Sequence, residues 1–213
     1  STSTTEFPAR APQHLAVSFE FSPPKTEAAE RTLWETVNRL TPLQPKFFSV
    51  TYGAGGSTRE RTFSTVKEIA AAGFAAAPHL SCVGSSRASI REILHEYMEA
   101  GIRRIVALRG DLPSGMARAG DLHYASDLVR FIRSEFGAHF HIEVGCYPET
   151  HPQAEDALAD LRHFKAKVDA GADSAITQYF FNADAYFRFV DDVRKAGVAI
   201  PVIPGIMPIS NFS

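Results

Sequence analysis

RIVALRG (104–110), an amphipathic stretch that closes on Gly137, and HIEVGCY (141–147) together read as one strand–helix–strand unit. The two outer runs are short and rich in β-branched residues, as strands are. Between them Leu128, Val129, Ile132 and Phe136 recur at helical spacing, so a single apolar face turns towards a sheet. Gly137 stands where that helix must stop, because glycine enters the left-handed cap without a steric penalty. Two strands joined by a crossover helix run parallel, which makes this an α/β unit.

The rest of the chain repeats it. Outward from this unit, further strands read as VSFEF (17–21), FFSVTYG (47–53), AAAPHLSC (75–82), SAITQYFF (174–181) and IPVIPGIM (200–207). Helical spacing recurs in Phe63/Val66/Ile69, Ile90/Ile93/Leu94/Tyr97, Leu158/Leu161/Val168 and Tyr186/Phe187/Val190/Val193. Gly73, Gly101, Gly171 and Gly197 stop helices as Gly137 does. Ser57 with Glu60 is a candidate capping box, and Ser86 and Asn182 are candidate N-caps.

Polar residues decide between an open doubly wound sheet and a barrel. An open sheet gathers them at one switch point, whereas a barrel gathers them from nearly every strand end. Here they fall at nearly every strand end: Glu20, Thr51 and Tyr52, His79, Arg109 and Asp111, Tyr147 with Glu149 and His151, and Gln178. The expected fold is therefore a (β/α)₈ TIM-type barrel. Such a barrel has eight strands over ~250 residues, so this one reads as truncated after the seventh. Residues 1–213 are expected to form a single catalytic barrel domain, with a flexible N-terminal stretch of ~15 residues and the last β/α unit absent.

Composition narrows the function. A formal charge of −2, with 22 basic residues scattered along the chain, offers no footprint for nucleic acid. Apolar runs fall well short of the ~20 residues of a membrane span, and the polar start STSTTEFPARAPQ is unlike a secretory signal. A cytoplasmic protein acting on small molecules fits. Cys82 and Cys146 lack a CxxC spacing, so neither a disulfide framework nor a zinc site is expected, and no metal is assigned. GAGGS (53–57) follows a strand and precedes a helix, but it does not complete G-x-G-x-x-G. Walker A, H-E-x-x-H and G-x-S-x-G motifs do not occur, which argues against NTPases, zincins and α/β-hydrolases. No predicted strand carries a lysine at its carboxyl end, as a Schiff-base lyase would require.

Glu20 lies inside an apolar run, and an unpaired buried carboxylate costs several kcal/mol, so it needs a partner or a task. An ion pair with Arg109 or His79 is one solution and a catalytic role is the other. His79 alone reads as well as a satisfied core histidine, Arg109 and Asp111 as partners of one another, and Gln178 as a bridge to a neighbouring strand.

Eight segments add a resemblance: FEFSPPK (19–25), SVTYGAGGSTRERT (49–62), PHLSC (78–82), ALRGDLP (107–113), YASDLV (124–129), YPETHP (147–152), KVDAGADSAITQYFF (167–181) and PGIMPISNF (204–212). In identity, order and spacing they resemble the bacterial-type, FAD-dependent methylenetetrahydrofolate reductases of one-carbon metabolism and methionine biosynthesis. The resemblance implies a barrel with non-covalent FAD and ping-pong hydride transfer. NADH or NADPH reduces the flavin, and 5,10-methylenetetrahydrofolate then receives the hydride to become 5-methyltetrahydrofolate. The competing reading is an inactive FAD-binding or folate-binding barrel fragment. The resemblance leaves homo-oligomerisation open.

Carried over by position, Glu20 matches the general acid, and its apolar strand leads us to expect a raised pKa. Asp111 matches a carboxylate beside flavin and pterin, catalytic and substrate-binding at once. Gln178 matches a folate contact. The implied FAD positions are Thr51, Tyr52, Ala54, His79, Arg109, Gly110, Asp111, Tyr124, Ala125, Tyr147, His151, Asp160 and Lys167, with Thr51 also near the nicotinamide. Asp160 and Lys167 lie seven apart on one predicted helix and hence on similar faces. The family often has a basic residue and an asparagine where this chain has Ala166 and His163.

Overall fold

A computed structural model describes residues 15–52, 56–108, 120–149 and 155–208. Strands β1 (Phe19–Phe21), β2 (Phe48–Val50), β3 (Ala76–Ser81), β4 (Arg104–Leu108), β5 (His141–Cys146), β6 (Ser174–Thr177) and β7 (Val202–Ile203) alternate with helices. The helices are α1 (Glu27–Leu40), α2 (Gly56–Ala71), α3 (Arg87–Glu99), α4 (Ala125–Phe136), α5 (Glu155–Asp169) and α6 (Ala183–Lys195). The strands form one sheet in sequence order, and every neighbouring pair is parallel. Consecutive right-handed crossovers that never reverse order curl a sheet. This is the TIM-type α/β architecture, with β1 and β7 at the two ends of the described sheet.

Residues along each strand alternate between two apolar layers. Phe48, Val50, Ala76, Leu80, Ile105, Ala107, Ile142, Val144 and Ala175 join the large core between sheet and helices. Phe47, Ala77 and Val106, with Leu108 against them, form a separate small cluster on the inner face of the curl. The helices contribute Leu33 and Val37, Val66 and Ile69, Ile90 and Leu94, Leu128 and Ile132, Phe164, and Val193 to the large core. Among the described residues no helix is long and apolar enough to cross a membrane.

The five glycine stops all take positive φ, from 58° at Gly137 to 118° at Gly171. Ser86 caps α3 by accepting from Ser89 N at 3.1 Å, and Asn182 caps α6 by accepting from Asp184 N at 3.0 Å. The capping-box reading at Ser57 rests on a side chain outside the described residues; α2 itself is described from Gly56, with Ser57 as its second residue. Two apolar assignments also change. Leu158 and Phe187 point to solvent, and Phe164 takes the inward position on α5, edge-on to Phe189 of α6 at 5.7 Å. Each turns outward because the inner stripe is set by neighbours one helical step away, Leu161 and Phe164 on α5, and Tyr186, Val190 and Val193 on α6. On α1, Leu33 and Val37 are buried, and Trp34 and Leu40 on the same face pack beside them against the core.

Arg133 ties the last turn of α4 to the starts of β5 and β6. Its guanidinium donates to Phe140 O at 2.7 Å and to Gly171 O at 2.9 and 3.0 Å, and it pairs with Asp173, whose carboxylate accepts from Ile142 N at 2.8 Å. The side chains of β5 and β6 that face the interior are therefore held in a fixed frame.

The end of β6 and the segment after β7 come unusually close. Gly205 N donates to Thr177 Oγ1 at 2.9 Å, and a Cβ at Gly205 would stand 2.3 Å from Thr177 O. Since the clash is with backbone, Gly205→Ala must push the post-β7 segment off β6. The expected loss is about 1–3 kcal/mol, read as a lower urea midpoint at unchanged slope. An unchanged midpoint would show that the segment gives way freely.

Candidate functional site at the carboxyl ends of the strands

Parallel strands all present their carboxyl ends to one rim, so residues distant in sequence gather there. Thr51 and Tyr52 follow β2, Tyr147 follows β5, and Gln178 follows β6. The ladder runs one residue beyond the strands at two of these points. Thr51 N donates to Phe21 O at 2.8 Å, and Gln178 N donates to Cys146 O at 2.8 Å, leaving the Gln178 side chain exposed. Glu149 accepts from Phe181 N and Asn182 N, both at 2.9 Å, and so fastens the β5 loop to the start of α6.

The central feature is a carboxylate–imidazole pair. His79 Nε2 of β3 lies 3.1 Å from Glu20 Oε1 of β1, with the imidazole 11% exposed and the carboxylate side chain 53% exposed. The hydrogen bond from His79 holds the Glu20 carboxyl below the usual carboxylate range, outweighing the opposing effect of partial burial. This corrects the expectation of a raised pKa. The apolar neighbours of Glu20 in sequence, Phe19 and Phe21, pack against the helix-side core, whereas Glu20 itself turns to the other face. Of the two ion-pair partners weighed from sequence, His79 is in place.

A second group lies at the β5–α5 side of the rim. Lys167 Nζ donates to Gly145 O at 3.0 Å, and burial lowers its pKa while Cys146 and Asp160 act to raise it. Asp160 and Lys167 thus do act on one another from the same face of α5. Burial pushes the Cys146 thiol up to about 12, so it is an inert core group; Cys82 is likewise buried, its thiol donating to Tyr124 O at 3.7 Å. Tyr124, the N-cap residue of α4, and Tyr147 are exposed, whereas Ala125 is buried at the first turn of α4. The Tyr124 ring faces His163 of α5 at 6.3 Å between centroids. Exposed flat rings beside a partly buried ammonium suit a ligand that combines an aromatic system with negative charge.

Ala54, Arg109, Gly110, Asp111 and His151 lie outside the described residues. Among the described residues no group of three or more His, Cys, Asp or Glu side chains is placed to hold a metal ion.

Sequence reading passed over a polar network within the curl. Glu143 of β5 is 1% exposed and accepts from Ser174 Oγ at 3.1 Å; His141 Nε2 lies 2.7 Å from the same hydroxyl. Arg104 of β4 sets its guanidinium over the Phe47 ring at 4.3 Å. The signal was available, because the alternation in HIEVGCY puts His141 and Glu143 on the face opposite Ile142, Val144 and Cys146.

Fold and rim define a (β/α)-barrel protein with its polar chemistry gathered on one face of the barrel. The methylenetetrahydrofolate reductase family model matches residues 8–213, and the chain belongs to that family. It is 50% identical over 199 residues to the 5,10-methylenetetrahydrofolate reductase of Salmonella typhimurium, covering 93% of this chain and 66% of that protein. With the enzyme of the same name from Pectobacterium carotovorum the identity is 51%, over 93% of this chain and 65% of the relative. The chain thus spans just under two thirds of the length of these curated relatives. In fold it resembles an uncharacterized protein from Clostridium thermocellum that binds two copies of 5-methyl-5,6,7,8-tetrahydrofolic acid. The TM-score is 0.61 at 14% identity, over 89% of this chain and 65% of that one.

Proposed function

We propose that this protein reduces 5,10-methylenetetrahydrofolate to 5-methyltetrahydrofolate at the expense of NADH or NADPH, with Glu20 as the general acid. The observation that carries the reading is the 3.1 Å Glu20–His79 pair at the rim of a chain of this family. The bridging carbon of the substrate accepts hydride poorly until its bond to N10 breaks. A proton delivered to N10 lets that bond break with its electron pair on nitrogen, and the iminium left at N5 is the hydride acceptor.

The hydrogen bond from His79 favours the Glu20 carboxylate, so Glu20 must take up a proton before it can act as the acid. Its carboxylate is half exposed, and a folate filling the rim would strip away water that now stabilises the charge. Desolvation favours the neutral acid, so the Glu20 carboxyl takes up a proton from solvent as the folate binds and holds it for N10. Gln178, exposed at the end of β6, offers an amide donor and acceptor to a pterin edge. Asp111 is assigned to the same pterin.

FAD, bound without a covalent bond, supplies the hydride carrier between nicotinamide and folate. Tyr124, Tyr147 and Lys167 are suited to it in chemistry, and by their match in sequence to the family Thr51, Tyr52, Ala54, His79, Arg109, Gly110, Asp111, Ala125, His151 and Asp160 are proposed to complete its site.

The test is anaerobic turnover with reduced nicotinamide and methylenetetrahydrofolate, with the methylated product identified by mass. A yellow protein that forms 5-methyltetrahydrofolate is expected. A colourless product that FAD does not reconstitute would sink the flavin assignment, and ligand binding without turnover would favour the inactive-fragment reading.

A further inference from the structure

The stretches that leave β5 and β6 stay side by side beyond the end of their ladder, which closes at Cys146 opposite Thr177. Two attachments hold them together. At the near end Gln178 N donates to Cys146 O at 2.8 Å. At the far end Glu149 reaches across, and a single carboxylate oxygen, Oε1, accepts from Phe181 N and Asn182 N, each at 2.9 Å. Segments 146–149 and 178–182 are thus fastened to each other at both ends, with Tyr147 on one and Gln178 on the other.

The far attachment comes from a side chain and carries charge. Phe181 and Asn182 stand just ahead of the first turn of α6, so neither N–H has an acceptor within the helix. Asn182 spends its own side chain on Asp184 N. Glu149 supplies the missing acceptor, and a carboxylate facing the start of a helix has the favourable sign. On the other side of this loop Phe180 stacks on Tyr186 of α6 at 5.3 Å, and Tyr186 Oη donates to Val202 O of β7 at 2.8 Å. The β6 loop is therefore anchored to the body of the barrel, and Glu149 registers the β5 loop against it.

We propose that Glu149 is a positioning residue for the reaction: by clasping the two rim segments it keeps Tyr147, on the flavin side, in fixed relation to Gln178, on the folate side. The inference rests on the reading of Tyr147 and Gln178 as ligand contacts, but the clasp beneath it does not. Glu149 acts through the backbone of the β6 loop and exchanges no proton in the cycle. Loss of its carboxylate weakens both ligands together, although each is held from a different segment. Glutamine keeps an oxygen at the same reach, so Glu149→Gln preserves the clasp and Glu149→Ala removes it.

The first measurement needs no ligand. Residue-resolved amide hydrogen exchange is expected to quicken roughly tenfold at Phe181 and Asn182 in Glu149→Ala and to stay near the unaltered rate in Glu149→Gln. Unchanged exchange in the alanine variant would overturn the clasp. The second uses the FAD-loaded protein. In Glu149→Ala the KM for methylenetetrahydrofolate is expected to rise roughly tenfold, the worth of a charge-assisted hydrogen bond, with kcat within about twofold of the original. FAD should also dissociate more readily, read as the return of free-flavin fluorescence on dilution. Glu149→Gln is expected to restore both. A fall in kcat with KM unmoved, or a glutamine variant as impaired as the alanine one, would overturn the proposal. If Glu149→Ala does not fold, Glu149→Asp, one methylene shorter in reach, serves the same comparison. Faster exchange at Phe181 and Asn182 in a protein that neither binds FAD nor turns folate over would overturn the reductase reading, and the positioning role with it, while leaving the clasp in place.

Discussion

Glu20→Gln is expected to lower the rate of methylenetetrahydrofolate reduction by ~10²–10⁴-fold, the usual contribution of a positioned general acid. Oxidation of reduced nicotinamide by an artificial electron acceptor should continue near its original rate, since that half of the cycle needs no proton at N10. Glutamine keeps the shape of the side chain, and its amide oxygen can still accept from His79 at the observed 3.1 Å separation. What it loses is the proton. The two halves are measured separately in stopped flow, and an equal loss in both would make the carboxylate a structural partner of His79. Because Glu20 is half exposed and its partner nearly buried, the substitution leaves the core intact, and the unfolding midpoint serves as the control.

Leu128→Ala carries the largest expected effect on stability. Leu128 is 0% exposed on α4, within the core between that helix and the sheet. Its truncation removes apolar transfer free energy and leaves a cavity that rigid neighbours fill only in part, together about 2–5 kcal/mol. Leu158→Ala is the matched control, because Leu158 is 68% exposed on α5 and its loss should stay within about 0.5 kcal/mol. Urea unfolding of both variants at constant slope decides it. Similar losses at the two positions would mean that α4 and α5 do not bury the faces described here.

The alternation of strands and helices was legible in the sequence because it rests on local physics. Period-two and period-3.6 apolar patterns, with a glycine after each helix, are properties of contiguous residues, and the seven strands stand where those patterns put them. Their parallel order followed, since a crossover helix permits little else. What failed were single helix positions. Leu158 and Phe187 fit a helical period, yet a stripe has two shoulders, and only the packing of Phe164 against Phe189 selects one. Strand ends were also read too long, because β5 ends at Cys146 and β6 at Thr177, and the residues that follow them form the rim.

Family membership was equally legible, being carried by motifs in register along the chain. The electrostatic state of the site was not. In the sequence Glu20 sits between two phenylalanines and reads as a desolvated acid with a raised pKa. The fold turns it away from them and brings His79 from β3 within 3.1 Å, and the sign of the shift reverses. Glu143 went unremarked for the same reason, since its partners Ser174, Arg104 and His79 come from three other strands. Backbone preference and apolar period act over a few residues, so the sequence alone determines where strands and helices lie. A proton's energy depends on charges a few ångströms away in space, and only the tertiary structure decides which those are.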